Sequence, residues 1–184
     1  MKTNYVIIFP TDTVYGIGAS VFDKEGMDRI YKIKNRPYSK PLAVLCANLE
    51  QIDDICYLTS DAKKLIERFL PGPLTLILKS KENVCKTFGH ETIGVRIPKY
   101  NLALDILNEE GPFATTSVNE SGKPSLNDYL EIKKDYASLV DKIYEPTGEA
   151  TSSLASTVVD MTQGKPKVLR EGAITLQMIE ECLK

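Results

Sequence analysis

NYVIIFPTDTVYGIG, residues 4–18, holds in miniature the pattern from which the architecture is read. Residues 4–9 (NYVIIF) are rich in β-branched and aromatic side chains and predict a strand, stopped at Pro10, which has no N–H to give to a ladder. Directly after it come Thr11, Asp12, Thr13, Gly16 and Gly18. Hydroxyls can bond small polar groups, and glycine lets a backbone approach a ligand closely. A polar cluster just beyond a strand is where open α/β sheets hold ligands. A tight turn with incidental Thr and Asp accounts for the same residues equally well.

The same alternation of apolar run and polar break continues along the chain. Met27, Ile30, Tyr31 and Lys34 fall at helical spacing and predict a helix over 24–34. PLAVLCA (41–47) reads as a buried strand. A helix is expected from Ser60, as N-cap, to Leu70, ended by Pro71-Gly72-Pro73. Further strands are expected at 74–79, 92–97, 112–117, 142–145, 156–161 and 167–170. Helices are expected at 101–111, near 126–138 and after Thr175. Strands interleaved with helices over a single stretch of 184 residues imply one α/β domain with a mixed sheet.

Composition narrows the function. Apolar residues make up 42% and charged residues 26%, the balance of a globular chain. No apolar run approaches the roughly 20 residues of a membrane span. The opening MKTNYVIIFP has too short an apolar stretch for a signal peptide, so the chain reads as cytoplasmic. The cysteines, Cys46, Cys56, Cys85 and Cys182, form no CxxC pair and no metal-ligand spacing, and no metal site is expected. His90 is the one histidine, which excludes a two-imidazole metal site. The net charge of −2 argues against generic nucleic-acid binding, so weak or no direct RNA binding is expected. No P-loop, kinase or Rossmann fingerprint is present.

Four further segments resemble the first in chemistry. KNRPYSKP (34–41) gathers three cations in seven residues between stiffening prolines, which suits an anion, although cations at a helix C-terminus are also favoured by its dipole. In TIGVRIP (92–98), alternation puts Thr92, Gly94 and Arg96 on one face. An arginine in an apolar strand needs a partner, either an internal acid or a bound anion. ATTSVNESGKPS (114–125) is a donor-rich loop that could hold phosphate or simply cap the next helix, through Ser125 or nearby. STVVD (156–160) and VLREGAI (168–174) read as paired strands, a hydroxyl on one and Arg170 ending the other. Lys34, Arg36, Lys40, Arg96 and Arg170 thus occupy similar places in the pattern of a slightly acidic chain, which suits a ligand with several negative charges.

Taken in order, FPTDTVYGIGA, IYKIKNRPYSKPLAVL, FLPGPLTLIL, TIGVRIP, ATTSVNESGKPS, STVVD and VLREGAI resemble the YrdC/TsaC family of threonylcarbamoyl-AMP synthases, from about Phe9 to Ile174. The resemblance implies a twisted mixed sheet with flanking helices around a deep, positively charged cavity, as one YrdC-like domain over 1–184 in the short form without a C-terminal extension. It implies an enzyme that condenses L-threonine, bicarbonate or CO2 and ATP, with Mg²⁺ carried on the phosphates and pyrophosphate released. The product would pass to a tRNA threonylcarbamoyl-transferase complex. Carried over by position, the catalytic pairs are Lys34 with Arg36 and Ser117 with Asn119. ATP contacts fall on Arg36, Lys40, Thr92, Ser117, Ser125 and Arg170, and threonine contacts on Thr13, Arg96, Thr115 and Ser156.

The chain departs from the family at Leu45, where many members have histidine, and at Glu171, in a segment that many write R-PG. The first bears on a threonine contact and the second on an ATP loop. Two other readings stay open. One is an RNA-binding module of the same fold. The other is a carbamoyl-adenylate-forming domain like that of hydrogenase-maturation proteins, which also carry acylphosphatase and zinc-finger regions for which this chain has neither room nor cysteines.

Overall fold

Alternation through residues 6–9 sends Val6 and Ile8 to one side of a sheet and Ile7 and Phe9 to the other, and all four are fully buried. The sheet therefore has a core on both faces. The computed structural model describes residues 2–152 and 154–184. Its strands are β1 (Ile7–Phe9), β2 (Gly16–Ser20), β3 (Ala43–Leu45), β4 (Leu74–Lys79), β5 (Thr92–Arg96), β6 (Phe113–Ser117), β7 (Lys142–Ile143), β8 (Thr157–Asp160) and β9 (Lys167–Arg170). Its helices are α1 (Lys24–Ile33), α2 (Leu49–Ile55), α3 (Ser60–Phe69), α4 (Glu82–Phe88), α5 (Asn101–Glu110), α6 (Tyr129–Tyr136) and α7 (Leu176–Leu183). The strands form one twisted sheet in the order β7-β1-β2-β6-β3-β5-β4-β8-β9. Parallel pairs (β3 with β5, β4 with β8) mix with antiparallel ones (β2 with β6, β4 with β5), as expected of the mixed α/β class.

One face is covered throughout. Val6, Ile8, Ile17, Val44, Leu76, Val95, Ala114 and Val159 pack there against α1, α2, α3, α4, α6 and α7. The other face is covered only in part. There α5, through Tyr100, Ala103, Ile106 and Leu107, sits on Ile7, Phe9, Leu45 and Phe113. Each fully buried side chain of this size contributes about 1.5–3 kcal/mol. Beyond α5 the same face changes character. The cross-strand row Phe113–Leu45–Arg96 gives way to the row Gly18–Thr115–Ala43–Gly94, two residues along each strand. Small and hydroxylated side chains offer no helix an apolar seat, so this half of the face is left open.

Three elements differ from the sequence reading. β2 runs through Gly16-Ile-Gly-Ala-Ser20, which reads as loop because its two glycines mask the alternation. It is a central strand, and the glycines are required: a Cβ on Gly16 would lie 2.7 Å from Thr115 Cγ2, and one on Gly18 2.9 Å from Thr115 Oγ1. Helices α2 and α4 are each seven residues long, too short for a clear period. Caps also shift. Thr59, not Ser60, accepts from Ala62 N, and Asp128, not Ser125, caps α6. Thr175 caps α7 as expected.

The end of α1 is tied to the end of β6 by Lys34. Its side chain is only 1% exposed, and its ammonium donates to the backbone oxygens of Ser117 and of Asn119 (2.6 Å) and to Asn119 Oδ1 (3.2 Å). An ammonium has three N–H groups and finds three acceptors. Burial, with the Arg36 guanidinium as a smaller second cause, lowers the Lys34 pKa from 10.5 to about 8. Lys34→Met leaves those acceptors without a donor and is expected to destabilise the fold by about 2 kcal/mol or more in denaturant titration. The folded chain binds fewer protons at Lys34 than the unfolded chain between about pH 8 and 10.5. The stability of wild type relative to Lys34→Met should therefore grow as pH rises through that window. A pH-independent difference would contradict the assignment.

Candidate active site

The open half of the sheet is the floor of a cleft. Alternation places Thr92, Gly94 and Arg96 of β5 on the open face, as the sequence suggests, while Ile93 and Val95 go to the covered one. Ala43 and Leu45 of β3, Thr75 and Ile77 of β4, and Thr115 and Ser117 of β6 line the same cavity, of about 350 Å³. An adjoining lobe of about 370 Å³ shares Thr13, Arg96, Ser117, Ser156 and Arg170 with it and adds Ser125 and Leu154. Nine residues expected at the site from sequence therefore meet along one continuous cleft: Thr13, Thr92, Arg96, Thr115, Ser117, Ser125, Ser156, Arg170 and the departure Leu45.

Arg96 is buried and fixed by three different parts of the chain. Nε donates to Gly72 O (3.0 Å), Nη1 to Thr13 Oγ1 (3.1 Å) and Nη2 to Asp12 Oδ1 (2.7 Å). Sequence reasoning left open whether its partner is an internal acid or a bound anion. The internal acid is Asp12, yet Arg96 still lines the cleft. A guanidinium has five N–H groups, so one remains on each terminal nitrogen. Thr13 is held in turn by Thr11, whose hydroxyl lies 3.2 Å from that of Thr13 and donates to Val14 O at 2.7 Å.

Arg170, which lines the cleft and its lobe together with Arg96, is braced by Ser156. Its Nε donates to Ser156 O (3.0 Å) and Nη2 to Ser156 Oγ (3.2 Å). Ser156 Oγ is 2.8 Å from Thr75 Oγ1, a residue that sequence reading passed over because it lies inside an apolar strand. Gly172 packs flat on this segment, where a Cβ would stand 2.3 Å from Ala155 O. Buried Thr157 Oγ1 accepts from Gly172 N (2.8 Å) and Ile174 N (3.1 Å) and donates to Ile174 O (2.7 Å).

Four expected residues stand elsewhere. The Lys34 ammonium is turned into carbonyls of its own chain and is not among the cleft-lining groups. Asn119 is occupied in the same knot: Oδ1 accepts from Ser117 Oγ and Lys34, and Nδ2 donates to Glu120 O (2.8 Å) and Lys123 O (2.9 Å). Arg36 clamps its own loop, Nε to Lys40 O (2.8 Å) and Nη2 to Pro41 O (3.0 Å), next to Pro41 and Leu42 of the cleft wall. Lys40 is exposed on that loop.

Both departures acquire a physical account. Leu45 belongs at once to the apolar cluster under α5 and to the cleft wall. Glu171 turns away and accepts from Leu176 N (3.1 Å) at the start of α7. Charged groups lining the cleft and its lobe are arginines, Arg96 and Arg170, and among the described residues no three His, Cys, Asp or Glu side chains gather as a metal site. Such a cleft can bind anions through guanidinium and hydroxyl groups, and its backbone floor admits a ligand close to the sheet.

Comparison with known proteins agrees with this fold. A family model for the Sua5/YciO/YrdC domain, described as telomere recombination, matches residues 1–172. The chain is 37% identical over 187 residues to a threonylcarbamoyl-AMP synthase of Pyrococcus abyssi, spanning all of this chain but 55% of that protein. It is 35% identical to a putative threonylcarbamoyl-AMP synthase of Methanocaldococcus jannaschii, over 96% of this chain and 84% of that one. The structure of P. abyssi Sua5 complexed with L-threonine superposes with a TM-score of 0.89 at 36% identity, covering 98% of this chain and 54% of the other. The chain thus spans about half the length of the Pyrococcus relative and most of the Methanocaldococcus one. With a half-covered mixed sheet, two arginines lining its open cleft and a match along nearly its whole length, the chain belongs to the Sua5/YciO/YrdC family.

Proposed function

We propose that this chain is a threonylcarbamoyl-AMP synthase, making threonylcarbamoyl-AMP from L-threonine, bicarbonate or CO2 and ATP in the cytoplasm. The observation that carries the reading is the open half-face of the sheet, a floor of hydroxyls and glycine lined by two fixed guanidinium groups. The amine of threonine adds to CO2 and loses a proton, giving a carbamate. A carbamate oxygen then attacks the α-phosphorus, and the bond to the β,γ-diphosphate breaks with release of pyrophosphate. No covalent bond to the protein forms, so the chain's own contribution is positioning and charge stabilisation.

In this reading Arg96 takes the threonine carboxylate with the N–H left on each terminal nitrogen, a charge-assisted pair of bonds. Thr13, Thr115 and Ser156 surround the rest of the amino acid. Arg170, Arg36 and Lys40 face the phosphates, with Thr92, Ser117 and Ser125 completing the ATP contacts. Lys34 and Asn119 act one step back, by building the knot that presents Ser117. Mg²⁺ arrives on the phosphates as part of the substrate, since it keeps several waters and needs few protein ligands. The product goes on to a tRNA threonylcarbamoyl-transferase complex.

Two outcomes are expected. Pyrophosphate release from ATP should require both L-threonine and bicarbonate; equal release with no amino acid, or ADP as product, would exclude this reaction. Arg96→Lys keeps the charge but loses the planar fork and should weaken threonine binding well beyond the roughly tenfold that 1.4 kcal/mol represents. ATP affinity, measured by calorimetry on the same samples, should persist. Unchanged threonine affinity would remove Arg96 from the amino-acid site.

A further inference from the structure

The loop from Pro37 to Pro41 is a wall with two sides. Toward the cleft it ends in Pro41, followed by Leu42. Its back closes a separate hollow of about 250 Å³ lined by Tyr31, Tyr38, Leu42, Phe88 and His90. The loop leaves α1 through Asn35 in the left-handed region (φ 49°), a conformation that asparagine adopts more readily than most residues with a side chain. Several ties are backbone-centred: Arg36 N to Tyr31 O (2.9 Å), Lys40 N to Pro37 O (3.0 Å), and Tyr31 Oη to Lys40 O (3.3 Å).

The tie at the loop's tip is of another kind. Tyr38 is 58% exposed, yet its ring stacks on buried Tyr31 with centroids 4.4 Å apart and planes at 24°. Its hydroxyl donates to Asp28 Oδ1 (3.2 Å) on α1, and the other carboxylate oxygen pairs with Lys24 (2.8 Å). One solvent-facing ring thus fastens the tip, between Arg36 and Lys40, to a platform that belongs to the core.

We propose that Tyr38 is a positioning residue: by stacking on Tyr31 it holds Arg36 and Lys40 at the cleft rim and so sets the affinity for a nucleoside triphosphate. This rests on the ATP reading above. Arg36 and Lys40 lie on a loop that joins the cleft wall at Pro41 and whose own carbonyls take up two N–H groups of Arg36, so an untied tip frees both cations together.

The test uses Tyr38→Ala and Tyr38→Phe in the full chain, with two readouts. The first needs no nucleotide: amide hydrogen exchange at Arg36 and Lys40. The second is KM for ATP against kcat in pyrophosphate release. Tyr38→Ala should speed exchange at both amides and raise KM for ATP about three- to tenfold, the worth of an aromatic pair, with kcat and melting temperature held. Tyr38→Phe keeps the stack and should restore both readouts to within about twofold. Unchanged exchange in Tyr38→Ala overturns the proposal whatever the activity, and so does faster exchange with an unchanged KM. Wild type that consumes no ATP overturns the enzyme reading, and this proposal with it, which the nucleotide-free readout keeps separate from a failure of the stack alone.

Discussion

Everything in this molecule depends on how far α5 reaches across the sheet. Apolar area buried is the main favourable term in folding, and an exposed sheet face forfeits it. Six helices cover one face completely. On the other, α5 covers the strands only where they carry Ile7, Phe9, Leu45 and Phe113. Two residues from Phe113 and Leu45 stand Thr115 and Ala43, with Gly94 beside them on β5, and the cover stops. The boundary between core and cleft is therefore a change in side-chain size along each strand, and Leu45 stands on it, serving both. The loops at the cleft's edge then have a floor to close over.

The cleft's rim is built from groups that satisfy one another. Lys34, Ser117 and Asn119 form one closed knot, and Thr75, Ser156 and Arg170 form another. Among the described residues no buried side-chain polar atom is left without a partner. A buried polar network is costly when half-satisfied and stiff when complete. These knots therefore hold Ser117 and Arg170 at the cleft through polar contacts on the open face.

Much of this was legible in the sequence, for reasons that differ by residue. Thr92, Gly94 and Arg96 could be placed on one face because strand alternation has a strict period of two. The polar clusters could be assigned to strand ends because prolines and glycines mark where each run stops. β2 was not legible, since Gly16 and Gly18 stand where apolar residues would have signalled a strand. They are glycines because Thr115 occupies the space a side chain would need. The fate of Lys34 was not legible either. A lysine two residues from an arginine looks the same whether it meets a ligand or its own backbone, and only the register that brings β6 beside β2 and β3 sets Ser117 and Asn119 in its way.

Arg96 has a further consequence. A free arginine side chain loses about 1.5–2 kcal/mol of rotamer freedom when it is immobilised. Here Gly72, Thr13 and Asp12 impose that loss when the chain folds. An anion arriving at the two remaining N–H groups meets a fork already aimed, and its binding free energy is not reduced by ordering the receptor. The Asp12 carboxylate at 2.7 Å also lowers the local positive charge, which weakens the hold on the anion. Rigidity thus stands at this position in place of part of the positive charge.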